Sequence, residues 1–207
     1  MDTTAILWSG GKDSALALYR ARQSGLNVRY AYVWYFRDFK FPPDRELMRA
    51  QAEAVGLEPI FIDTDMRTTY NTIKQLAAHH SLTHLVFGEG HIIADIRLFR
   101  DLCRKLSITA VIPNFQYTAD QNMNELLDTG FKFYITRANC DIDTAHLGIY
   151  TREIYDQFMA EYGSAYVDPY GPASACQTFV VDGPIFTHPI DINIERRQYG
   201  DVTLKQD

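Results

Sequence analysis

Hydrophobic positions up to about residue 136 alternate between two spacings, which predict strands and helices in turn. Short runs rich in Val, Ile and aromatic residues predict strands at 4–8, 27–36, 58–63, 83–87, 109–112 and 131–136. Apolar residues at helical spacing predict helices at 15–24, at 44–55, from 68 or 69 to 80, at 92–106 and from 118 or 120 to 128. This alternation predicts a doubly wound, mainly parallel α/β sheet with helices on both faces.

The pattern changes after about residue 139. It predicts a helix at 151–162, a loop rich in Gly, Pro and Ala at 168–176, and two short strands around an Asp-Gly-Pro turn within 177–194. From about residue 197 the chain is polar and is expected to fray. We therefore expect a doubly wound domain at 1–138 and a smaller C-terminal α+β extension at 139–207, packed as one unit.

A glycine-rich hexapeptide, SGGKDS at 9–14, lies between the first predicted strand and the first predicted helix. Its two glycines let the backbone approach an anion closely, and the helix start offers unpaired N–H groups. Lys12 adds a positive charge, and Ser9 and Ser14 add hydroxyl donors. Asp13 either caps the helix or holds a Mg²⁺ ion that bridges phosphates. The hexapeptide is neither a Walker A motif nor a GxGxxG motif, so we interpret it as a different kind of phosphate loop.

Composition narrows the class of protein. With 46% hydrophobic and 22% charged residues, the chain is neither disordered nor collagen-like. The formal net charge of −6 argues against a broad nucleic-acid surface but does not exclude a local basic groove. Three scattered cysteines with no CxxC motif argue against a disulfide or zinc framework. Without a signal-peptide pattern or a long apolar run, we expect a cytoplasmic protein with no membrane contact.

The phosphate loop resembles that of the N-type ATP pyrophosphatases, also called PP-loop enzymes, which cleave ATP between its α and β phosphates. Two further stretches are similar to one branch of that superfamily, the diphthine–ammonia ligase-like proteins. The first is Val86-Phe87-Gly88-Glu89 with Ala94-Asp95-Ile96-Arg97, and the second is the run QTFVVDGPIF at 177–186. The resemblance covers about residues 4–190 and implies a Rossmann-like, adenine nucleotide alpha hydrolase-like fold, with ATP in the first domain and substrate against the C-terminal extension.

The resemblance also implies an activity, that of an ATP- and Mg²⁺-dependent ligase. Such an enzyme adenylates a small-molecule or peptide-borne carboxylate, releases pyrophosphate and passes the acceptor to ammonia or an amine, forming an amide. The residues expected to bind ATP are Ser9, Gly10, Gly11, Lys12, Asp13, Ser14 and Gly88. Lys12 and Asp13 are also expected to act in catalysis together with Arg97, and Asp13 to bind the metal. The residues expected to border the acceptor are Glu89, His91, Asp95, Arg97 and Cys176.

Several acceptor-side residues have a second interpretation. Arg97 is either a bidentate clamp for a carboxylate or phosphate, or a solvated helix arginine. Asp95 ligates metal or orients Arg97, or it is a surface carboxylate. His91 follows a strand end, where it could contact the acceptor or act as a base. Cys176 is a nucleophile or sulfur carrier, or else a small structural cysteine.

The chain departs from the pattern of this branch just before the run at 177–186. Relatives carry an acidic Gly-Glu-x-Gly-Glu stretch there, whereas this chain has Gly171-Pro172-Ala173-Ser174-Ala175-Cys176. Glu89 stands where the branch has Asp, and Ala94 where bacterial relatives often have Glu. Losing carboxylates beside the pocket disfavours a cationic acceptor such as diphthine. We therefore expect ATP binding with a different acceptor.

Two other functions are compatible with the loop. One is a regulator that binds ATP or AMP without ligation. The loss of the carboxylates beside the pocket is compatible with this function. The other is a tRNA sulfur transfer enzyme of the same superfamily, which the acidic charge and the lack of paired cysteines disfavour. For the assembly, a homodimer is the default expectation.

Overall fold

The computed structural model describes residues 2–36, 44–65, 68–90, 92–137, 149–162, 177–196 and 202–206. The predicted loop at 168–176 lies outside these residues. The described strands are β1 (Thr4–Leu7), β2 (Val28–Phe36), β3 (Glu58–Thr64), β4 (His84–Val86), β5 (Thr109–Val111), β6 (Lys132–Arg137), β7 (Ile149–Tyr150), β8 (Gln177–Asp182), β9 (Ile192–Arg196) and β10 (Val202–Gln206). The described helices are α1 (Lys12–Gln23), α2 (Arg45–Ala54), α3 (Thr69–His79), α4 (Ile93–Leu106), α5 (Ala119–Asp128) and α6 (Arg152–Tyr162), with a 3₁₀ turn at Pro113–Gln116.

The central sheet is parallel and has the strand order β3-β2-β1-β4-β5. Side chains of β2 alternate between two cores: Ala31, Val33 and Tyr35 lie in one, and Tyr30 and Tyr32 in the other. Successive side chains of a strand point to opposite faces, so both faces of this sheet are buried. The predicted doubly wound, parallel α/β architecture is confirmed.

Helices cover both faces of the central sheet. On one face, Leu16 of α1 packs in the same core as Met48 of α2, and on the other, Ile73 of α3 packs with Cys103 of α4. Every described helix is too short or too polar to cross a lipid bilayer. The strand order reverses between β1 and β4, which is where open α/β sheets bind their ligands.

A second, smaller sheet is antiparallel and has the order β7-β6-β8. The strand–helix alternation predicted that the strand at 131–136 continues the parallel sheet. That prediction was wrong, because β6 is the middle strand of this antiparallel sheet. Hydrophobic spacing identifies a strand but does not show which strand pairs with it. Here one of the partners is β8, which lies far along the chain. Strand β6 falls within the range expected for the first domain, and β7 and β8 within the C-terminal extension.

The two strands predicted around the Asp-Gly-Pro turn do not pair with each other. Strand β8 pairs with β6, and β9 pairs with β10 in a separate two-stranded sheet. The prediction that the tail frays was wrong for Val202–Gln206, which forms β10. Backbone pairing satisfies the main-chain hydrogen bonds of this segment whatever the polarity of its side chains.

Candidate functional site

The SGGKDS loop joins the carboxyl end of β1 to α1, beside the point where the strand order reverses. Gly10 has a positive φ of 75°, and a Cβ there would lie 2.6 Å from Oε1 of Gln51 and 3.1 Å from Sδ of Met48. Only glycine fits both this backbone conformation and this close packing. The tight turn lets α1 begin at Lys12, three residues before the start that apolar spacing predicted at Ala15.

Gln51 of α2 is fully buried and holds the backbone of the loop. Its Nε2 donates to the carbonyl oxygens of Gly10 at 2.9 Å and Val180 at 2.6 Å, and its Oε1 accepts from Nε1 of Trp8 at 2.9 Å. Buried amides of this kind are costly to leave unpaired, so the contacts tie the loop to α2 and β8. Sequence reasoning missed Gln51, and the available signal was a glutamine on the apolar face of a helix.

Strand β8 lies in the run at 177–186, and it is in direct contact with the SGGKDS loop. The backbone N–H of Lys12 donates to Oγ1 of Thr178 at 3.0 Å, across a separation of 166 residues. The backbone N–H of Val180 donates to the carbonyl of Gly10 at 2.9 Å. The loop and the start of the run at 177–186 therefore form one site, although a linear reading treats them as separate motifs.

The N-terminus of α1 presents donors rather than a side-chain cap. Oγ of Ser9 donates to Oγ of Ser14 at 3.1 Å and accepts from the N–H of Gly11 at 3.3 Å, while Oγ of Ser14 donates to the Gly11 carbonyl at 2.9 Å. The N–H groups of Asp13 and Ser14 have no acceptor within the part of the chain that the structure describes. Unpaired N–H groups and the positive end of the helix dipole together suit a phosphate.

Lys12 and Asp13 form an ion pair, with Nζ 2.6 Å from Oδ2. The carboxylate lies in the first turn and pairs with the ammonium, so the interpretation of Asp13 as a helix cap was wrong; Gly11 occupies the N-cap position. The Asp13 side chain is 39% exposed, against 7% for Lys12. One accessible carboxylate fits a Mg²⁺ ion that takes its other ligands from phosphates and water. Among the described residues there is no group of three His, Cys, Asp or Glu side chains that could hold a metal ion.

The end of β4 packs tightly against the first turn of α1. A Cβ on Gly88 would lie 2.8 Å from the backbone nitrogen of Ser14, so a side chain there would clash with main-chain atoms. The buried Asn114 bridges these segments, because its Nδ2 donates to the carbonyls of Gly88 at 2.8 Å and Asp13 at 2.9 Å. Sequence analysis missed Asn114.

Glu89 follows this contact and is half-buried. Its Oε1 accepts from the N–H groups of Gly90 at 2.8 Å and Ile92 at 3.2 Å, which stabilises the start of α4. One carboxylate oxygen of Glu89 is therefore engaged by backbone donors close to the reversal point of the sheet.

The other acceptor-side candidates are less well connected. Asp95 is half-buried in the first turn of α4, and Arg97 lies on its exposed surface. Neither forms an ion pair with any residue that the structure describes, so the interpretation that Asp95 orients Arg97 has no contact behind it. His91 and Cys176 lie outside the described residues.

Tyr32 and Tyr35 of β2 are core residues in the structure. Tyr32 is fully buried and Tyr35 nearly so, and burial raises the pKa of Tyr35 to about 12. Burial likewise raises the pKa of Tyr32 above its ordinary value. Both phenols are therefore neutral near pH 7, and their packing is that of a β-sheet core.

Comparison with known proteins gives one family. Residues 2–110 match the family model of the diphthamide synthase N-terminal domain. No curated protein matches the chain. Among solved structures, a similar chain is described as a predicted subunit of tRNA methyltransferase from Methanocaldococcus jannaschii; it is 18% identical, with 88% of this chain and 98% of that chain covered and a TM-score of 0.49.

The family match covers the part of the chain that builds most of the site. It includes the SGGKDS loop, all of the central sheet except the last residue of β5, and the contact between β4 and α1. These 109 of 207 residues are more than half of the chain. The chain therefore belongs to the diphthamide synthase N-terminal domain family, within the PP-loop ATP pyrophosphatase superfamily.

Proposed function

We propose that this protein is an ATP-dependent ligase that adenylates a carboxylate and transfers the acyl group to ammonia or an amine. The observation that carries the proposal is the start of α1, where unpaired N–H groups lie beside a buried lysine at the ligand-binding edge of the sheet. Its family uses ATP, which supports a nucleotide as the anion bound there.

The reaction has two balanced steps. A carboxylate oxygen of the acceptor bonds to the α-phosphorus of ATP, and the bond from that phosphorus to the bridging oxygen breaks, so that pyrophosphate leaves. The nitrogen of ammonia or an amine then attacks the acyl carbon, loses a proton and displaces AMP. Both steps need positioned reactants and a stabilised leaving group rather than a protein nucleophile.

The residues of the loop have separate tasks in this proposal. The N–H groups of Asp13 and Ser14 and the ammonium of Lys12 hold the leaving pyrophosphate. Asp13 holds the metal ion, and Mg²⁺, when bound, supplies further charge neutralisation at the phosphates. Because Lys12 pairs with Asp13, the ammonium lies within reach of the carboxylate that would hold the metal.

The acceptor side is proposed from sequence and placement. Arg97 lies on the exposed surface of α4, where its guanidinium can reach a carboxylate from solvent. Glu89, His91, Asp95 and Cys176 complete the proposed acceptor side. The acceptor is a carboxylate other than diphthine, because the acidic stretch that would match a quaternary ammonium is missing at 171–176.

The test is to incubate the purified chain with ATP, Mg²⁺, ammonia or amines and a panel of carboxylates. The expected result is release of AMP and pyrophosphate that depends on one acceptor class. Tight ATP binding without turnover would favour a regulator instead. Co-purified tRNA together with a requirement for a sulfur donor would favour sulfur transfer.

Lys12→Ala is the first variant to measure. We expect pyrophosphate release to fall by about a hundredfold or more, because a fixed positive charge beside the leaving group is lost. Lys132→Ala is the matched control, since it removes a lysine paired with Asp182 at the far end of β8. Unchanged kinetics in Lys12→Ala would contradict the assignment of the phosphate loop.

A further inference from the structure

We infer that Asn114 is a positioning residue of the nucleotide site and that Arg20 sets the orientation of its amide. The inference deepens the proposed function and rests on it for the identity of the ligand. Neither residue belongs to the phosphate loop or to the stretches at 86–97 and 177–186 that carry the family resemblance.

The Asn114 amide joins the two segments on either side of the reversal point. Its two N–H bonds go to the carbonyls of Asp13, in the first turn of α1, and Gly88, at the end of β4. The first of these residues is proposed to hold phosphate and metal, and the second precedes Glu89 on the acceptor side. One side chain therefore sets the spacing between the ATP half and the acceptor half of the site.

Arg20 determines which way this amide points. Its Nη1 lies 3.1 Å from Oδ1 of Asn114. A guanidinium can only donate hydrogen bonds, so the atom facing it must be the amide oxygen. The amide nitrogen is then directed at the two carbonyls, which accept its hydrogen bonds.

Arg20 is itself held rigidly. Its Nε and Nη2 form a two-point ion pair with Glu125 at 3.1 and 2.6 Å, and its Nη1 donates to Oδ1 of Asn122 at 2.7 Å. Its guanidinium also stacks over the ring of Tyr117, 4.0 Å from the centroid. The side chain is 10% exposed, and Glu125 balances its charge. A planar five-donor fork is needed to serve all these partners, and lysine cannot replace it.

A purely structural role makes a different prediction from a positioning role. If the network only fixes α5 and the 3₁₀ turn to α1, its loss lowers stability and leaves nucleotide affinity unchanged in the folded protein. If Asn114 positions the site, its loss also weakens nucleotide binding and loosens the first turn of α1.

The experiment compares Asn114→Leu with Leu126→Ala in the full chain. Asn114→Leu has nearly the same shape but no donor, whereas Leu126→Ala creates a cavity in α5 without touching the amide network. At a temperature where both are folded, we expect Asn114→Leu to raise the KM and Kd for ATP about tenfold, the factor for one net hydrogen bond. Leu126→Ala should lower the melting temperature and keep the KM and Kd of the wild type.

Two further variants keep the test decisive if Asn114→Leu does not fold. Asn114→Asp can still accept from Arg20 but cannot donate to the carbonyls, so it should weaken ATP binding as well. Arg20→Lys keeps the charge and loses the fork, and it should weaken binding through the freed amide. Wild-type affinity in folded Asn114→Asp or Arg20→Lys would overturn the inference.

Hydrogen exchange without nucleotide separates this inference from the proposed function. We expect residues 9–17 to exchange faster in Asn114→Leu than in Leu126→Ala at matched stability. If the wild type neither binds nor turns over ATP, the proposed function fails while this exchange difference still tests the positioning role. Equal exchange in the two variants would mean that Asn114 is only structural.

Discussion

Two residues with buried backbone-directed contacts, Gln51 and Asn114, shape the candidate site from outside the loop. Each is a primary amide whose nitrogen donates to two main-chain carbonyls and whose oxygen accepts from a neighbouring side chain. An amide suits this position because it carries donor and acceptor on one rigid plane without charge. The residues of the loop that would bind phosphate can be recognised from its sequence motif. Gln51 and Asn114 belong to no motif, and they support the site only through their hydrogen bonds to the backbone.

Gly10→Ala tests the packing of the loop at residue scale. Gly10 and Gly25 both have positive φ values, of 75° and 86°, but a Cβ at Gly25 meets nothing within 4 Å. Gly25→Ala should therefore lose only about 1 kcal/mol of the free energy of unfolding, from backbone strain. Gly10→Ala should lose a further 1–3 kcal/mol, roughly, because its methyl group collides with Gln51 and Met48.

The measurement is urea unfolding of both variants beside the wild type. ATP affinity should fall in Gly10→Ala and stay unchanged in Gly25→Ala, which lies at the other end of α1. Equal destabilisation by the two substitutions would show that the close approach of Gln51 does not constrain the loop.

At the scale of elements, α5 carries two of the partners that hold Arg20. It begins with a capping box, in which Oγ1 of Thr118 accepts from the N–H of Gln121 at 3.2 Å and Oε1 of Gln121 accepts from the N–H of Thr118 at 2.8 Å. Asn122 and Glu125 follow within two turns. The start of this helix therefore contributes to the order of the network behind the site.

Thr118→Ala should lower the free energy of unfolding by about 1 kcal/mol, since the box loses its hydroxyl acceptor. Thr72→Ala in α3 is the matched control, because among the residues that the structure describes its hydroxyl donates only to the carbonyl of Thr68. That control should be neutral or slightly stabilising, since alanine has the higher helix propensity. Thermal unfolding of the two variants, followed by circular dichroism, measures the difference. An equal loss of stability in both would contradict a stabilising role for the capping box.

At the scale of the whole molecule, buried titratable groups make stability depend on alkaline pH. Burial raises the pKa of the Cys103 thiol from 9.0 to about 12, and that of Tyr35 from 10.0 to about 12. Between these values the folded chain keeps protons that the unfolded chain loses. The free energy of unfolding therefore falls as pH rises from 9 towards 12, by up to about 1.4 kcal/mol per pH unit for each group.

Cys103→Val should make this fall less steep by up to about 1.4 kcal/mol per pH unit, because it removes one of the buried groups that keep their protons. Ile108→Val in the same core is the control, since it loses a methylene group but no titratable proton. Urea unfolding at several pH values from about 8 to about 11 gives the slope directly. An unchanged slope in Cys103→Val would mean that the buried thiol is not responsible.

Periodicity and local motifs determined much of this protein from the sequence alone. The parallel sheet, its covering helices and the position of SGGKDS between β1 and α1 follow from short-range spacing, because burial on a strand or helix leaves a regular pattern. The family of the chain was also readable there, since the loop and the run at 177–186 are contiguous stretches.

Only the tertiary structure decided which distant segments meet. The contact of Thr178 with Lys12, the amide of Asn114 between Asp13 and Gly88, and the pairing of β6 with β8 all join parts far apart in the chain. Such contacts leave no periodic trace, because a buried hydrogen bond depends on the positions of its two atoms in space and not on their separation in sequence.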